Sequence, residues 1–449
     1  MSTGVSSTIE GITSYQGKPA LARLPIVSAE SSDHVGVYCF LNSVFGEPSH
    51  AEFRASLEDP DYQPANRLLA KDGQRIVAHA QVLHRICPLG PLRLPAAQID
   101  WLGTTPKLQG HGLGTRLLRT AERRMVQSGA LVGWVRAQPT RLFTRLGWAV
   151  CDMQVPSCGS AHHVLRSLIE KGLRLPGRRT NLHIRPWLLW EVRGLARLYC
   201  KGMDGLFGPF ERTEPYWQWL VRRHGFEQLY VAIDGPDPID MDERKAPVVG
   251  YAATKGAHIL ELVASSTKKN IAAMLLARIC HDAIESGRRS VFLHTPEVDR
   301  LHEVFQRPAE PCRHGIPSCG EAVMARVLRP LALMRLMKDV LQQRAAEDGL
   351  PPAMELGFQV GKNRYLLSFN DSMLTVTSRK PTHHTVELSK ADFTRMLLGR
   401  IDWDHATAGE CVVPHTPEAG HFARTLFPAV PFWKPPLDDL KRDEKNPYW

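Results

Sequence analysis

The stretch from Leu108 to Leu118, Leu-Gln-Gly-His-Gly-Leu-Gly-Thr-Arg-Leu-Leu, constrains this 449-residue chain more than any other, because three glycines run straight into an amphipathic helix. Residues 97 to 105 alternate in polarity and read as a strand, which Pro106 ends because proline has no N–H to give a ladder. After the loop, Leu113, Leu117, Leu118 and Ala121 recur on one face and predict a helix to about Gln127. Gly110, Gly112 and Gly114 carry no Cβ, so successive backbone N–H groups can converge on an anion at the helix N-terminus. The loop is built to hold a diphosphate without a metal.

A dinucleotide-binding fold also uses a glycine triplet, but it expects Gly-x-Gly-x-x-Gly early in a parallel unit and an acidic residue about 20 positions on. Here the spacing is Gly-x-Gly-x-Gly, it follows a long strand-like region, and Trp134, Val135 and Arg136 stand where that carboxylate belongs. The pattern instead resembles the GCN5-related N-acetyltransferases, whose signature is Gln/Arg-x-x-Gly-x-Gly/Ala. Gln109, Gly112 and Gly114 match it, Leu102, Gly103 and Thr104 occupy the strand before it, and Phe143 with Gly147 and Trp148 matches the later aromatic-x-x-x-Gly-aromatic element. The resemblance implies acetyl-CoA as co-substrate, held by Leu102, Gly103, Thr104, Gln109, Gly110, His111, Gly112, Leu113, Gly114, Thr115 and Arg116, with a small-molecule or peptide amine as acceptor.

At 449 residues the chain is too long for one core, and 43% hydrophobic residues are enough to fill several. The expected organisation is a flexible N-terminus over 1–22, a catalytic domain over 23–157, a linker over 158–180, a second domain over 181–327, a third over 328–440 and a charged tail over 441–449. The second domain repeats the strand and helix order of the first, but Ser265 to Ile271 has no glycines, so it reads as a repeat that kept the fold and lost the cofactor. In the third, strands at 354–360, 364–370 and 373–377, with Asn370-Asp371 at a turn, precede a helix bearing Phe393, Met396 and Leu397. That order resembles a sterol carrier protein-like domain. Two acetyltransferase-like mixed-sheet domains followed by such an α+β domain is the architecture of the enhanced intracellular survival family, which also implies a hexamer. The overall expectation is an α/β (α+β) chain.

The formal charge of +10 is spread along the sequence without a basic block interleaved with aromatics, so nucleic acid is not an expected partner. No apolar run is long enough to span a membrane, and nine cysteines without Cys-x-x-Cys pairs suit a reducing, cytoplasmic setting. Cys312, His314 and Cys319 have no common zinc spacing, so no metal is expected. His162-His163 and His383-His384 read as surface residues, and Tyr216, Trp217 and Trp219 as core.

Acetyl transfer to an amine needs the neutral base, yet an amine with a pKa of about 10.4 offers only about one neutral molecule in a thousand at neutral pH. Asp100, on the strand before the loop, is the candidate proton acceptor. Backbone N–H groups of Leu102 to Thr104 would polarise the thioester carbonyl. The resemblance puts a tyrosine, the acid for the departing thiolate, where this chain has Phe143. A thiol of pKa about 8.5 leaves tolerably well without one, so the missing hydroxyl slows the reaction rather than forbidding it. Two other readings accompany the enzyme: a catalytically weak acyl-CoA sensor or scaffold, and a lipid carrier acting through the third domain. The family also brings a terminal carboxylate into the active site, a role not carried over to Trp449.

Overall fold

The computed structural model describes residues 24–138, 140–153, 155–173, 181–236, 242, 244–266, 270–306, 322–370, 373–379 and 383–439. The expected N-terminal segment, the charged tail with Trp449, the Cys312, His314 and Cys319 group, Pro139, Asp371 and Lys268-Lys269 lie outside them.

The first domain runs β1 (Ile26–Ser28), α1 (His34–Phe45), α2 (His50–Leu57), β2 (Arg67–Asp72), β3 (Arg75–Leu89), β4 (Leu92–Thr104), α3 (Leu113–Gln127), β5 (Val132–Ala137), α4 (Arg141–Arg145) and β6 (Ala149–Asp152). Helix α3 begins and ends where the apolar spacing places it. Leu113, Leu117, Leu118, Ala121 and Met125 bury its apolar face against Val82, Ala97, Ile99 and Val135 of the sheet.

The second domain contains β7 (Ser157–Ser160), α5 (Ala161–Glu170), β8 (Leu182–Pro186), α6 (Val192–Gly202), α7 (Glu214–Arg222), β9 (Gln228–Asp234), β10 (Val248–Lys255), β11 (His258–Ala264), α8 (Ile271–Glu285) and β12 (Ser290–Leu293). Its strands lie in the order β7-β12-β11-β10-β9-β8. The chain then returns to the first domain, where β13 (Ala322–Val327) slots antiparallel between β5 and β6, giving β1-β2-β3-β4-β5-β13-β6.

The structure thus divides the chain differently from the expected boundaries. Residues 158–180 are not simply a linker, because β7 pairs with β12 and α5 packs on α8. Residues 322–327 belong to the first sheet, not the second. β13 is buried on both faces, Ala322 and Met324 toward α3 and Val323, Ala325 and Val327 on the opposite side. A strand covered on both faces reads as a continuous apolar run, which does not reveal which sheet receives it.

The third domain comprises α9 (Pro330–Leu336), α10 (Lys338–Glu347), β14 (Met354–Val360), β15 (Asn363–Asn370), β16 (Met373–Thr377), β17 (Thr385–Leu388), α11 (Lys390–Leu397), α12 (Trp403–Ala408), β18 (Val412–Pro414) and α13 (Pro417–Leu426), with sheet order β16-β15-β14-β17-β18. Its core residues Phe358, Leu397 and Phe427 are continuous with Leu94, Trp134 and Val323 on the face of the first sheet opposite α3. The first sheet is therefore sandwiched between its own helix and this domain.

After Phe427, residues 431–439 form a strap that runs back between the first two domains. Phe207 N–H donates to Pro431 O, and Trp433 N–H donates to Phe207 O. Trp433 joins the core of the second domain, beside the buried Tyr216, Trp217 and Trp219.

Candidate functional site

β4 and β5 run parallel and pair from Ala96↔Val132 to Ile99↔Val135. Beyond that point they part, and no ladder bond joins Asp100–Thr104 to β5. On its other side β4 carries a bulge: Gln81 faces Asp100 and His79 faces Gly103, so Trp101 and Leu102 together oppose Ala80. Trp101 accordingly adopts φ +53°, a left-handed conformation that costs a non-glycine residue about 1–3 kcal/mol and persists only when its surroundings enforce it.

A fully buried hydrogen-bonded string enforces it. Arg67 Nη1–H donates to His79 Nε2 at 3.1 Å, and His79 Nδ1–H donates to the Trp101 carbonyl at 2.9 Å. Arg67 is itself held by Tyr62 and Ser56. This chain fixes one neutral tautomer of His79, and burial together with the Arg67 charge pushes its pKa down to about 3.

A pH dependence of stability follows. An unfolded histidine takes up a proton below about pH 6.5, whereas folded His79 refuses it until about pH 3, so this residue's contribution is present above pH 6.5 and is lost as pH falls through that window. The slope is at most roughly 1.4 kcal/mol per pH unit. His79→Gln, which retains a donor and an acceptor, should flatten the pH dependence of the urea-unfolding free energy between pH 6.5 and 4. An unchanged slope would show that His79 does not titrate on unfolding.

At the far end of β4, Gln109 Nε2–H donates to the Thr104 carbonyl at 3.4 Å, tying the loop to the strand. Gly112 is the N-cap of α3 at φ +81°, and no atom lies within 4 Å of where its Cβ would be. Both the backbone conformation and the open space in front of the helix N-terminus call for glycine there. Gly103 lacks a side chain for a different reason: a Cβ would fall 2.5 Å from the Phe45 ring, which leans over the bulge and contacts Trp101.

The splay opens into a cavity of about 370 Å³. Of the residues singled out from sequence, Asp100, Leu102, Gly103, Thr104, Gln109, Gly114 and Phe143 line it together. Gly110, His111, Gly112 and Thr115 sit at the loop and first helical turn, Leu113 is buried under α3, and His111 is exposed with its ring on the Gln109 carbonyl. Arg116 does not line this cavity. Its guanidinium donates to the Leu24 carbonyl and borders a separate basic groove with Arg119, Arg123 and Arg326 on the outer side of α3. Phe143 is buried edge-on against Trp148, at 5.7 Å between centroids.

Two charged residues of the cavity were not assigned to the site from sequence, Arg136 and Asp439. They form an ion pair at 2.6 Å with both side chains largely buried. Asp439 Oδ1 is buried, with no hydrogen-bond partner among the described residues. On the same sheet face, Asp100 Oδ1 accepts from Gln98 Nε2 at 2.9 Å. The cavity therefore holds two carboxylates and one guanidinium beside an apolar wall of Val44, Phe45 and Phe143. A carboxylate 300 residues from the loop carries no local signal. The apolar Phe432-Trp433 and the Asp438-Asp439 pair were visible, but their placement depends on the strap.

Among the described residues no helix is long and apolar enough to cross a membrane. Residues 26–151 match the family model described as the acetyltransferase (GNAT) domain. No curated protein matches the chain by sequence. Solved structures resemble it over nearly its full length: a GCN5-related N-acetyltransferase from Kribbella flavida (18% identity, TM-score 0.65, covering 92% of this chain and 98% of that one) and another from Anabaena variabilis ATCC 29413 (16%, 0.66, 92% and 99%). Eis1 from Mycobacterium abscessus is similar at 14% identity, with TM-score 0.61 and coverage of 91% and 99%. At these identities the likeness is one of fold. Residues 26–151 thus match a GNAT acetyltransferase domain, and the chain shares the fold of these solved structures over 91–92% of its length.

Proposed function

We propose that the protein is an acetyl-CoA-dependent N-acetyltransferase acting on a primary amine by direct attack in a ternary complex. The observation that carries this reading is the junction of three features in one cavity: a strand that parts from its neighbour beyond Ile99, a glycine loop at a helix N-terminus, and two carboxylates. Gln109 to Thr115 would hold the pyrophosphate on backbone N–H groups, and the thioester arm would add to β4 where β5 has turned away. The Leu102–Thr104 backbone would polarise the thioester carbonyl.

The acceptor arrives as an ammonium ion. Asp439, which lines the cavity, would take its charge, and Asp100 would accept its proton directly or through water. The freed nitrogen lone pair attacks the carbonyl carbon, the C–N bond forms and the C–S bond breaks. CoA departs as thiolate, and the second nitrogen proton reaches it through solvent, because Phe143 has no hydroxyl to offer. That substitution also favours the second reading, a slow enzyme whose main role is acyl-CoA sensing.

The test is a panel of alkylamines, aminoglycosides and lysine peptides with acetyl-CoA, read as release of free thiol. Amine-dependent thiol release supports transfer. Tight acetyl-CoA binding by calorimetry with no amine-dependent thiol release would replace the enzyme by the sensor.

A further inference from the structure

The second domain retains the geometry of a cofactor cleft. β10 and β11 are offset by a bulge at Leu260, since Thr254 faces Ile259 and Ala253 faces Glu261. β11 and β12 pair only at His258↔Phe292 and Ile259↔Leu293 before they part. Asn270, at φ +70°, caps α8 as Gly112 caps α3. The splay, the bulge and the left-handed cap are therefore all kept.

The strap lies at this opening. Trp433 and Leu437 pack with Leu260 and Val263 of β11, and Trp433 and Pro436 meet His294 and Thr295 just past β12. Arg212, wholly buried, ties the strap to β11: its guanidinium donates to both Glu261 oxygens at 2.8 and 2.7 Å, while its Nε donates to Asp438 Oδ1 at 2.9 Å. Tyr216 Oη donates to the same Asp438 oxygen at 3.2 Å, and Arg223 holds the Leu437 carbonyl. The Arg212 and Lys434 charges more than offset burial and keep the Asp438 carboxyl below its usual range. The next residue, Asp439, leaves this clamp and enters the first domain's cavity.

We infer that the second domain serves catalysis as the seat of this strap: its disused cleft grips Asp438 through Arg212 and Tyr216 so that Asp439 faces the acceptor site of the first domain. Arg212 and Tyr216 are positioning residues that act through Asp439, and the inference rests on the acetyl-transfer reading above. A clamp that only added stability would not need to be followed immediately by a carboxylate that lines the first domain's cavity together with Asp100.

A double-mutant cycle separates positioning from stability. Tyr216→Phe removes one hydroxyl and keeps the ring against Trp219 and Arg85. It should lower kcat/KM for the amine roughly 3- to 10-fold, the worth of one hydrogen bond, with acetyl-CoA affinity unchanged. In an Asp439→Asn background the same substitution should have no further effect on turnover. Arg212→Lys should give a larger loss with the same non-additivity, and Tyr216→Phe decides the matter if that variant does not fold. Turnover unaffected by Tyr216→Phe, or losses that multiply with those of Asp439→Asn, would overturn the positioning role. Absence of amine acetylation in the unaltered protein would instead overturn the functional reading itself.

Discussion

Gly112→Trp eliminates acetyl-CoA binding while leaving the fold in place. Gly112 lies at φ +81°, where an L side chain costs about 1–3 kcal/mol, and the indole would occupy the empty space in front of the α3 N-terminus. That space is where the backbone N–H groups of the loop are directed, so an anion and the indole compete for one volume. Calorimetric affinity for acetyl-CoA should fall by more than roughly 100-fold, equivalent to about 2.7 kcal/mol. Circular dichroism and a cooperative thermal transition should persist, because the added Cβ meets nothing within 4 Å. A folded Gly112→Trp protein that binds acetyl-CoA normally would remove the loop from the cofactor site.

Asp439→Asn has the second large effect, on the acceptor side. The substitution preserves shape but removes the charge proposed to receive the ammonium ion, and it breaks the 2.6 Å pair with Arg136. Turnover of a strongly basic alkylamine should fall by about 10²-fold or more, with acetyl-CoA affinity unchanged. Asp100→Asn should show the same pattern, since it removes the proposed proton acceptor. The diagnostic comparison is an arylamine, neutral at pH 7, which needs neither charge recognition nor deprotonation and should be nearly indifferent to both substitutions. Equal losses for the basic and the neutral acceptor would mean that the carboxylates shape the site and do not handle its protons. The basic arm could be a lysine peptide and the neutral one a substituted aniline, both read as free thiol.

The parts of this protein that were legible in sequence share a physical property: their signal is local. α3 could be placed because Leu113, Leu117, Leu118 and Ala121 lie within three turns, and the loop because three glycines fall within five positions. The strands of the third domain were likewise visible, as at β14, β15 and β16. Where local preference and packing conflicted, the reading lost detail. The apolar run at Leu331 to Val340 is two helices that meet at Met337, and Trp190 sits in a 3-10 turn of Leu189–Glu191, ahead of α6. β17 and β18, at four and three residues, are too short to show a period at all.

The candidate site divides along the same line. Asp100 to Thr104, Gln109, Gly114 and Phe143 meet in one cavity, and their convergence follows from a strand, a loop and a helix adjacent in the chain. The sequence by itself determined the glycine loop at a helix N-terminus, the strand that precedes it, and a second domain without such a loop. Only the tertiary structure decided the rest. It showed that residues 322–327 complete the first sheet, that the second domain's cleft holds the strap, and that Asp439 stands beside Asp100. These are long-range placements, set by which buried surfaces match and by which buried charges find partners, as Arg212 does with Glu261 and Asp438. No periodicity or spacing encodes such matches, because their energy depends on residues that become neighbours only once the chain has folded.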